Sequence, residues 1–90
     1  MRFNAKLTKT AQTELRRLPK KIKQQVASAL DNLEKDPRAG SPLHWQLKGY
    51  WSYHTGNYRI VYEIDDNNKN VIVEHIKHRK DVYRDMQRRR

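Results

Sequence analysis

Two alternating segments on either side of a Gly-Asn dipeptide constrain the fold of this chain more than any other feature. Inward and outward positions alternate through residues 51–55 and again through residues 58–64, as is typical of half-buried strands. Gly56-Asn57 lies between them and is a two-residue hairpin signal, because both residue types accept the positive φ angles of tight primed turns. The sequence therefore predicts an antiparallel hairpin at this point.

The segment before the hairpin predicts one strand and a pair of helices. Residues 1–7 alternate as a first strand, and Thr8 is a good N-cap for the helical spacing that follows. Pro19 interrupts that spacing, and since proline starts helices well, a second helix is predicted to begin there. The apolar stripe of this second helix ends before Asp36-Pro37. Five bases on the outer side of the two helices are either an RNA-facing patch or an ordinary solvated surface: Arg16, Arg17, Lys20, Lys21 and Lys23.

The remaining elements complete an α+β fold. Residues 36–43 contain two prolines and a glycine and are predicted to be a loop, followed by a short extended stretch at 44–48. Residues 71–76 predict a further strand, and residues 78–86 a short C-terminal helix. The expected domain, spanning residues 1–90, is a small antiparallel sheet in β-α-α-β-β-β order, with the helical hairpin covering one face. Three aromatic residues are predicted to lie in its core: Trp45, Trp51 and Tyr53.

The charge of the chain indicates an anionic partner. Twenty Lys and Arg residues against ten Asp and Glu residues give a net charge of +10 and a pI near 10.2. Such a field attracts nucleic acid or an acidic protein, although a ribosomal-type or merely soluble basic domain would have a similar balance. The chain has no cysteine, no apolar run of about 20 residues and no signal peptide, so we expect a cytoplasmic protein without membrane contact.

The predicted hairpin places a histidine beside an arginine. With Gly56-Asn57 as the loop, His54 pairs with Arg59, and directly opposed residues share a face with Cβ atoms about 5 Å apart. An imidazole can take a proton near neutral pH while a guanidinium holds a phosphate, a combination that suits cleavage of a phosphodiester. The alternative is an exposed cross-strand pair without a function.

A second basic cluster lies near the C-terminus. It combines cationic side chains with an aromatic ring, as RNA binding requires: His75, Lys77, His78, Arg79, Lys80 and Tyr83. His75 and His78 lack acidic or sulfur ligands at usable spacing, so no metal site is expected. No cofactor-binding motif is present, and any chemistry would depend on cationic groups.

Three segments of the sequence carry a family resemblance. They are Gly56-Asn57-Tyr58-Arg59-Ile60-Val61-Tyr62-Glu63-Ile64, His78-Arg79-Lys80-Asp81-Val82-Tyr83 and Leu47-Lys48-Gly49. Together they resemble the central hairpin motif, the C-terminal motif and the stretch before the hairpin in the RelE/ParE toxin superfamily. The resemblance covers essentially the whole chain in length and element order. It implies a small antiparallel sheet with a helical hairpin.

The resemblance also implies roles for individual residues. Arg59 matches a phosphate-holding arginine, Arg79 matches a second arginine that stabilises the phosphate or leaving group, and Tyr83 matches a stacking tyrosine. RelE-like toxins often have lysines where this chain has Ser52 and His54, which leaves His54 as the candidate general base. The remaining candidates for RNA or phosphate binding are Lys48, Ser52, Lys77, His78 and Lys80.

Two activities occur in the superfamily that this chain resembles. RelE-like members cut messenger RNA in the ribosomal A site by attack of the 2′-hydroxyl on the adjacent phosphate, without a metal. ParE-like members instead inhibit DNA gyrase, and a catalytically inactive binding module is a third reading. The match to Tyr83 favours the RelE-like activity. The resemblance further implies an acidic cognate antitoxin as partner, with operator DNA contacted only through the toxin–antitoxin complex.

Overall fold

The first part of the chain forms one strand and two helices in the computed structural model, which describes residues 2–81. Strand β1 spans Asn4–Leu7, helix α1 spans Lys9–Arg16 and helix α2 spans Lys20–Lys35. The hydroxyl of Thr8 accepts a hydrogen bond from the backbone N–H of Ala11 at 3.2 Å, which confirms Thr8 as the N-cap of α1. Pro19 immediately precedes α2, as predicted.

Five strands form a single sheet in the order β1-β5-β4-β3-β2. The other four strands are β2 (Ser41–Pro42), β3 (Trp51–Thr55), β4 (Tyr58–Asp65) and β5 (Asn70–His78). The predicted antiparallel meander is confirmed, because β3 pairs with β4 and β4 with β5 in antiparallel fashion. The predicted α+β class is confirmed, but the sheet is mixed and not antiparallel throughout, because β1 pairs with β5 in parallel. No tight turn joins β1 to β5, so local geometry does not impose an antiparallel direction on this pair.

The core lies between one face of the sheet and the helices. Its largest fully buried side chains come from β4, β5 and α2, and the N-terminal strand and α1 complete it. Its members are Phe3, Ala11, Val26, Ala29, Leu33, Ile60, Tyr62, Val71, Val73 and Ile76. Trp51 and Tyr53 pack against this cluster, which confirms their predicted place at the core.

The segment between α2 and β3 differs from its prediction. The predicted loop at 36–43 contains a short 3-10 helix, Pro37–Ala39, as well as the two residues of β2. The stretch at 44–48 is not extended, because Trp45–Leu47 forms a second 3-10 helix. Trp45 has a φ angle of 61° and is 93% exposed, so the prediction that it belongs to the core is wrong. Its ring projects from a turn that lies outside both the sheet and the two long helices.

The C-terminal part of the described chain is a strand for longer than predicted. Strand β5 continues through His78, where the sequence predicts the start of a helix, and Arg79 to Asp81 form a turn. The rest of the predicted helix, with Tyr83, lies outside the described residues. Within residues 2–81, no helix has the length and apolarity needed to cross a membrane.

Candidate nucleic-acid site

Three basic residues stand in register across three neighbouring strands. His54 of β3 is directly opposite Arg59 of β4, as the two-residue turn predicts, and Arg59 is directly opposite Lys77 of β5. Directly opposed side chains lie on one face of the sheet, about 5 Å apart at Cβ. His54 is exposed, Arg59 is partly exposed, and 25% of the Lys77 side chain is exposed. We call His54, Arg59 and Lys77 the basic row.

The basic row lies on the sheet face that points away from the helices. Ile60 and Tyr62 belong to the core between the sheet and the helices, and Arg59 points the other way because neighbouring strand residues alternate. The next row on this face, two pairs further from the hairpin turn, consists of Ser52, Val61 and His75. Ser52 is 5% exposed and His75 is 2% exposed. Ser52 therefore lies on the same face as the basic row but is buried.

A β-bulge determines which residue of β5 lies opposite Arg59. The register of β4 and β5 shifts between Val61 and Tyr62, where β5 contains one extra residue, Glu74. Counted back from the pair Asp65 and Asn70 without the bulge, Arg59 would oppose an isoleucine instead of Lys77. The bulge therefore brings the cation of Lys77 into the basic row. The sequence contains no turn signal that marks this position.

Glu14 of α1 joins the row to the helices, and sequence analysis did not identify it. One carboxylate oxygen of Glu14 accepts a hydrogen bond from the backbone N–H of Ile76 at 2.9 Å. The other oxygen lies 2.9 Å from Nζ of Lys77 and 3.4 Å from Nδ1 of His75. Burial of Glu14 raises its pKa, but the hydrogen bonds from His75, Ile76 and Lys77 together outweigh burial, so the pKa is lower than its usual value. Glu14 is therefore an ionised partner that holds Lys77 in place.

The residues that follow β5 lie beside the hairpin turn. The backbone N–H of Arg79 donates a hydrogen bond to the carbonyl of Asn57 at 2.8 Å. Arg79 therefore lies next to the Gly56-Asn57 loop that joins β3 to β4. Arg79 and Lys80 are exposed. The backbone N–H of Lys80 donates to Nδ1 of His78 at 3.2 Å. Two predicted site residues, Arg79 and Lys80, are thus close to the hairpin turn and beside the basic row.

Two predicted site residues are not part of the basic row. His78 is opposite Tyr58, and the two rings meet edge to face with centroids 5.6 Å apart, on the opposite face of the sheet from Arg59. Lys48 is exposed and precedes β3, so it lies toward the end of that strand that is remote from the hairpin turn. Among residues 2–81, no group of three or more His, Cys, Asp or Glu side chains is arranged to hold a metal ion.

Comparison with known proteins agrees with the fold and with the motifs. Residues 5–83 match the family model described as ParE toxin of type II toxin-antitoxin system. The chain is 37% identical over 86 residues to Toxin RelG of Mycobacterium tuberculosis, covering 93% of this chain and 99% of RelG. It is 39% identical over 84 residues to Toxin RelE of the same organism, covering 91% of this chain and 87% of that toxin.

A solved structure of similar sequence has the same fold. It is the toxin–antitoxin complex RelBE2 of Mycobacterium tuberculosis, in which one chain superposes with a TM-score of 0.82 at 32% identity, over 87% of this chain and 99% of that chain. Family model, relatives and structure all extend over most of the chain, and the family model includes all three segments that carry the sequence motifs. This chain therefore belongs to the RelE/ParE toxin family of type II toxin–antitoxin systems.

Proposed function

We propose that this toxin is a ribosome-dependent endoribonuclease that cleaves messenger RNA in the A site and so stops translation in the cytoplasm. The observation that carries the proposal is the basic row, in which an imidazole, a guanidinium and an ammonium group stand in register on one sheet face, with His54 exposed and Arg59 and Lys77 partly exposed. Such a row supplies both a proton acceptor and cations for a phosphate without requiring a metal ion. The similarity to toxins named RelE and RelG supports this reading.

The reaction is an internal displacement at one phosphate of the message. His54 takes the proton of the 2′-hydroxyl, the 2′ oxygen attacks phosphorus, and the bond from phosphorus to the 5′ oxygen of the next nucleotide breaks. The products are a 2′,3′-cyclic phosphate and a 5′-hydroxyl, whose oxygen takes up a proton from water as it leaves, and His54 then releases its proton to water. Arg59 holds the phosphate as negative charge develops on its oxygens, and Arg79 assists from the hairpin end. Tyr83 is assigned to stacking on a neighbouring base.

The other basic residues bind RNA without touching the reacting atoms. Lys77 lies next to Arg59, where its ammonium group can donate a hydrogen bond to RNA while Glu14 offsets its charge, and Lys80 follows β5 near the hairpin turn. Lys48 and His78 are proposed to contact flanking RNA or ribosome. Ser52 is buried, so its hydroxyl does not face the surface. We assign it to packing beneath the basic row and not to direct contact with RNA.

Replacing Arg59 by alanine tests the proposal. In a reconstituted translation system with 5′ ends mapped by primer extension, the unaltered protein is expected to cut only translated message. Arg59→Ala should reduce cutting by about 100-fold, the usual effect of removing one group that stabilises transition-state charge. Arg38→Ala is the matched control, since Arg38 forms an exposed ion pair with Asp66, and such pairs contribute little to stability. Full cutting by a folded Arg59→Ala protein would refute the assignment.

An acidic antitoxin is the proposed protein partner. The net charge of +10 favours an acidic chain, and the similar RelBE2 structure is a toxin–antitoxin complex. Contact with operator DNA is proposed to occur through that complex and not through the toxin alone. Size-exclusion chromatography of the co-expressed pair is expected to give a single complex, and a toxin that elutes by itself would contradict the proposal.

Inhibition of DNA gyrase is the second candidate function, and the match to the ParE family model favours it. Under this alternative the basic surface binds a protein or DNA and performs no catalysis. It predicts intact message and trapped, cleaved DNA in cells that express the toxin. The mapped 5′ ends of the message therefore distinguish the two candidates directly.

A further inference from the structure

A groove separates α1 from the end of β5 beside the basic row. Its volume is about 350 Å³, which is within the range of ligand-binding clefts. Helix α1 and its C-cap form one wall, and β5 provides the other. The lining residues are Lys9, Thr10, Thr13, Glu14, Arg17 and Lys77.

The helical wall presents two cations and one hydroxyl group in one line. Lys9, Thr13 and Arg17 follow each other at intervals of four residues, so they lie on the same side of the helix. Lys9 and Arg17 are exposed, and among residues 2–81 neither forms an ion pair with an acidic side chain. Their positive charge is therefore available to an anion in the groove.

The acidic residue in the groove does not cancel this charge. Both oxygens of Glu14 are engaged, one with the backbone N–H of Ile76 and the other with Nζ of Lys77 at 2.9 Å. The charges of Glu14 and Lys77 compensate each other. The groove keeps the two positive charges of Lys9 and Arg17.

The groove and the basic row form one continuous surface. Lys77 lines the groove and also stands directly opposite Arg59, whose other neighbour is His54. A strand of RNA whose scissile phosphate is held at Arg59 carries further phosphates on either side. In the direction of β5, the next cations that such a strand meets are Lys77 and then Lys9 and Arg17. A small anion would contact only one part of this surface, whereas an extended polyanion is long enough to contact both the basic row and the groove.

We propose that the groove is a second phosphate subsite, in which Lys9 and Arg17 bind a phosphodiester flanking the one at Arg59 in the same single-stranded RNA. The inference rests on the proposed nuclease function and adds a binding site to it. The subsite sets the direction in which the RNA crosses the sheet, from the hairpin side past Lys77 to α1. It contributes affinity and position and takes no part in proton transfer.

The double variant Lys9→Ala/Arg17→Ala tests this subsite. The probe is a short single-stranded RNA with 2′-O-methyl groups, which cannot be cleaved, and its affinity is measured by fluorescence anisotropy at several salt concentrations. Each phosphate contact contributes about 0.7 to the slope of log affinity against log salt for a single strand. We expect the double variant to bind more weakly and to lower the slope by about 0.7, corresponding to one lost phosphate contact.

Lys35→Ala/Arg38→Ala is the charge-matched control. Both residues are exposed, one at the end of α2 and one in the 3-10 helix that follows it, and neither lines the groove, so this variant also removes two positive charges from the molecule. It is expected to keep the slope of the unaltered protein. If both double variants lost RNA affinity equally, the effect would come from the net charge of the protein, and the proposal of a subsite would be overturned. Unchanged RNA binding in Lys9→Ala/Arg17→Ala would overturn it as well, and weaker antitoxin binding in that case would assign the groove to the acidic protein.

The two proposals fail in distinguishable ways. If the unaltered protein does not cut translated message but its RNA affinity depends on Lys9 and Arg17, the nuclease function fails and the subsite stands. If the protein cuts message in an Arg59-dependent way but its RNA affinity does not depend on Lys9 and Arg17, the nuclease function stands and the subsite fails. Thermal unfolding of each variant shows whether it is folded. Both replaced side chains are exposed at the ends of α1, where the loss of one charge has a small effect on stability.

Discussion

At the scale of single residues, Glu14 has the most connections to the site. Strand β1 covers the edge of β5 only as far as the pair Leu7 and Val73, and the backbone of Ile76 lies beyond it. Glu14 supplies the acceptor that this edge N–H would otherwise lack, and the same carboxylate binds Lys77 of the basic row. One side chain therefore closes a sheet edge and positions a cation.

Replacing Glu14 by alanine should lower the free energy of unfolding by about 2 kcal/mol at neutral pH, because a partly buried N–H and two basic groups lose their partner. Urea denaturation checks this value, and Lys35→Ala, which breaks an exposed ion pair with Asp31, serves as the control with little effect. An unchanged urea midpoint in the Glu14 variant would contradict the role that the contacts indicate.

The stabilisation by Glu14 should depend on pH in a defined direction. The pKa of Glu14 is lower in the folded chain than its ordinary value of 4.5. A carboxyl group whose pKa falls on folding stabilises the protein fully above the unfolded pKa, and this contribution is lost as the pH falls through the folded pKa. Comparison of the unaltered protein with Glu14→Gln by urea denaturation should therefore give a stability difference that is constant near neutral pH and shrinks below about pH 4.5. A difference that grows on acidification would reverse the sign and refute the assignment.

At the scale of elements, the hairpin of β3 and β4 and the bulge on β5 together build the basic row. The two-residue loop sets His54 against Arg59, and the bulge sets Arg59 against Lys77. Gly56 in the loop has a φ angle of 60°, in the left-handed region that residues with a Cβ adopt at a cost. The turn that sets His54 against Arg59 therefore depends on a glycine that carries no functional group itself.

Gly56→Ala is expected to lower the free energy of unfolding by roughly 1–2 kcal/mol, the cost of left-handed backbone for an ordinary residue. Gly56→Asn is the matched control, because asparagine also adds a Cβ near the side chain of Gln25 but tolerates this backbone region better. Thermal or urea unfolding should rank stability as Gly, then Asn, then Ala. Equal loss in both variants would mean that the Cβ contact, and not the backbone angle, determines the effect.

At the scale of the whole molecule, the positive charge extends over several elements. Cations occur on the basic row, on α1 and on the outer side of α2. The acidic antitoxin proposed above has the opposite charge and is attracted to this surface. The RNA proposed as substrate is attracted to the same positive charges.

The affinity for the antitoxin should fall as salt rises. Screening shortens the range of charge interactions from about 10 Å at 0.1 M salt to about 3 Å at 1 M salt, so we expect slower association and weaker binding. Titration calorimetry and stopped-flow association measure the two effects, and a thermal melt of the free toxin at each salt concentration controls for unfolding. Binding that is the same at every salt concentration would show that apolar contacts dominate the interface.

The sequence alone determined the local geometry of this protein. The Gly56-Asn57 turn and the flanking alternation predicted the pairing of His54 with Arg59, and Thr8 and Pro19 predicted where the two helices begin. These features depend on residues within a few positions of each other, because turn geometry and helix capping are set by neighbouring backbone and side chains.

Only the tertiary structure decided the rest of the site. The parallel pairing of β1 with β5, the bulge that moves Lys77 opposite Arg59, and the contact of Glu14 with residues more than 60 positions away involve distant parts of the chain. Trp45 shows the same limit. Its large aromatic side chain favours burial, but the turn that contains it lies outside the core. Local patterns give each segment its shape and its apolar face. Which segments meet, and in what register, is decided by the packing that buries those faces together.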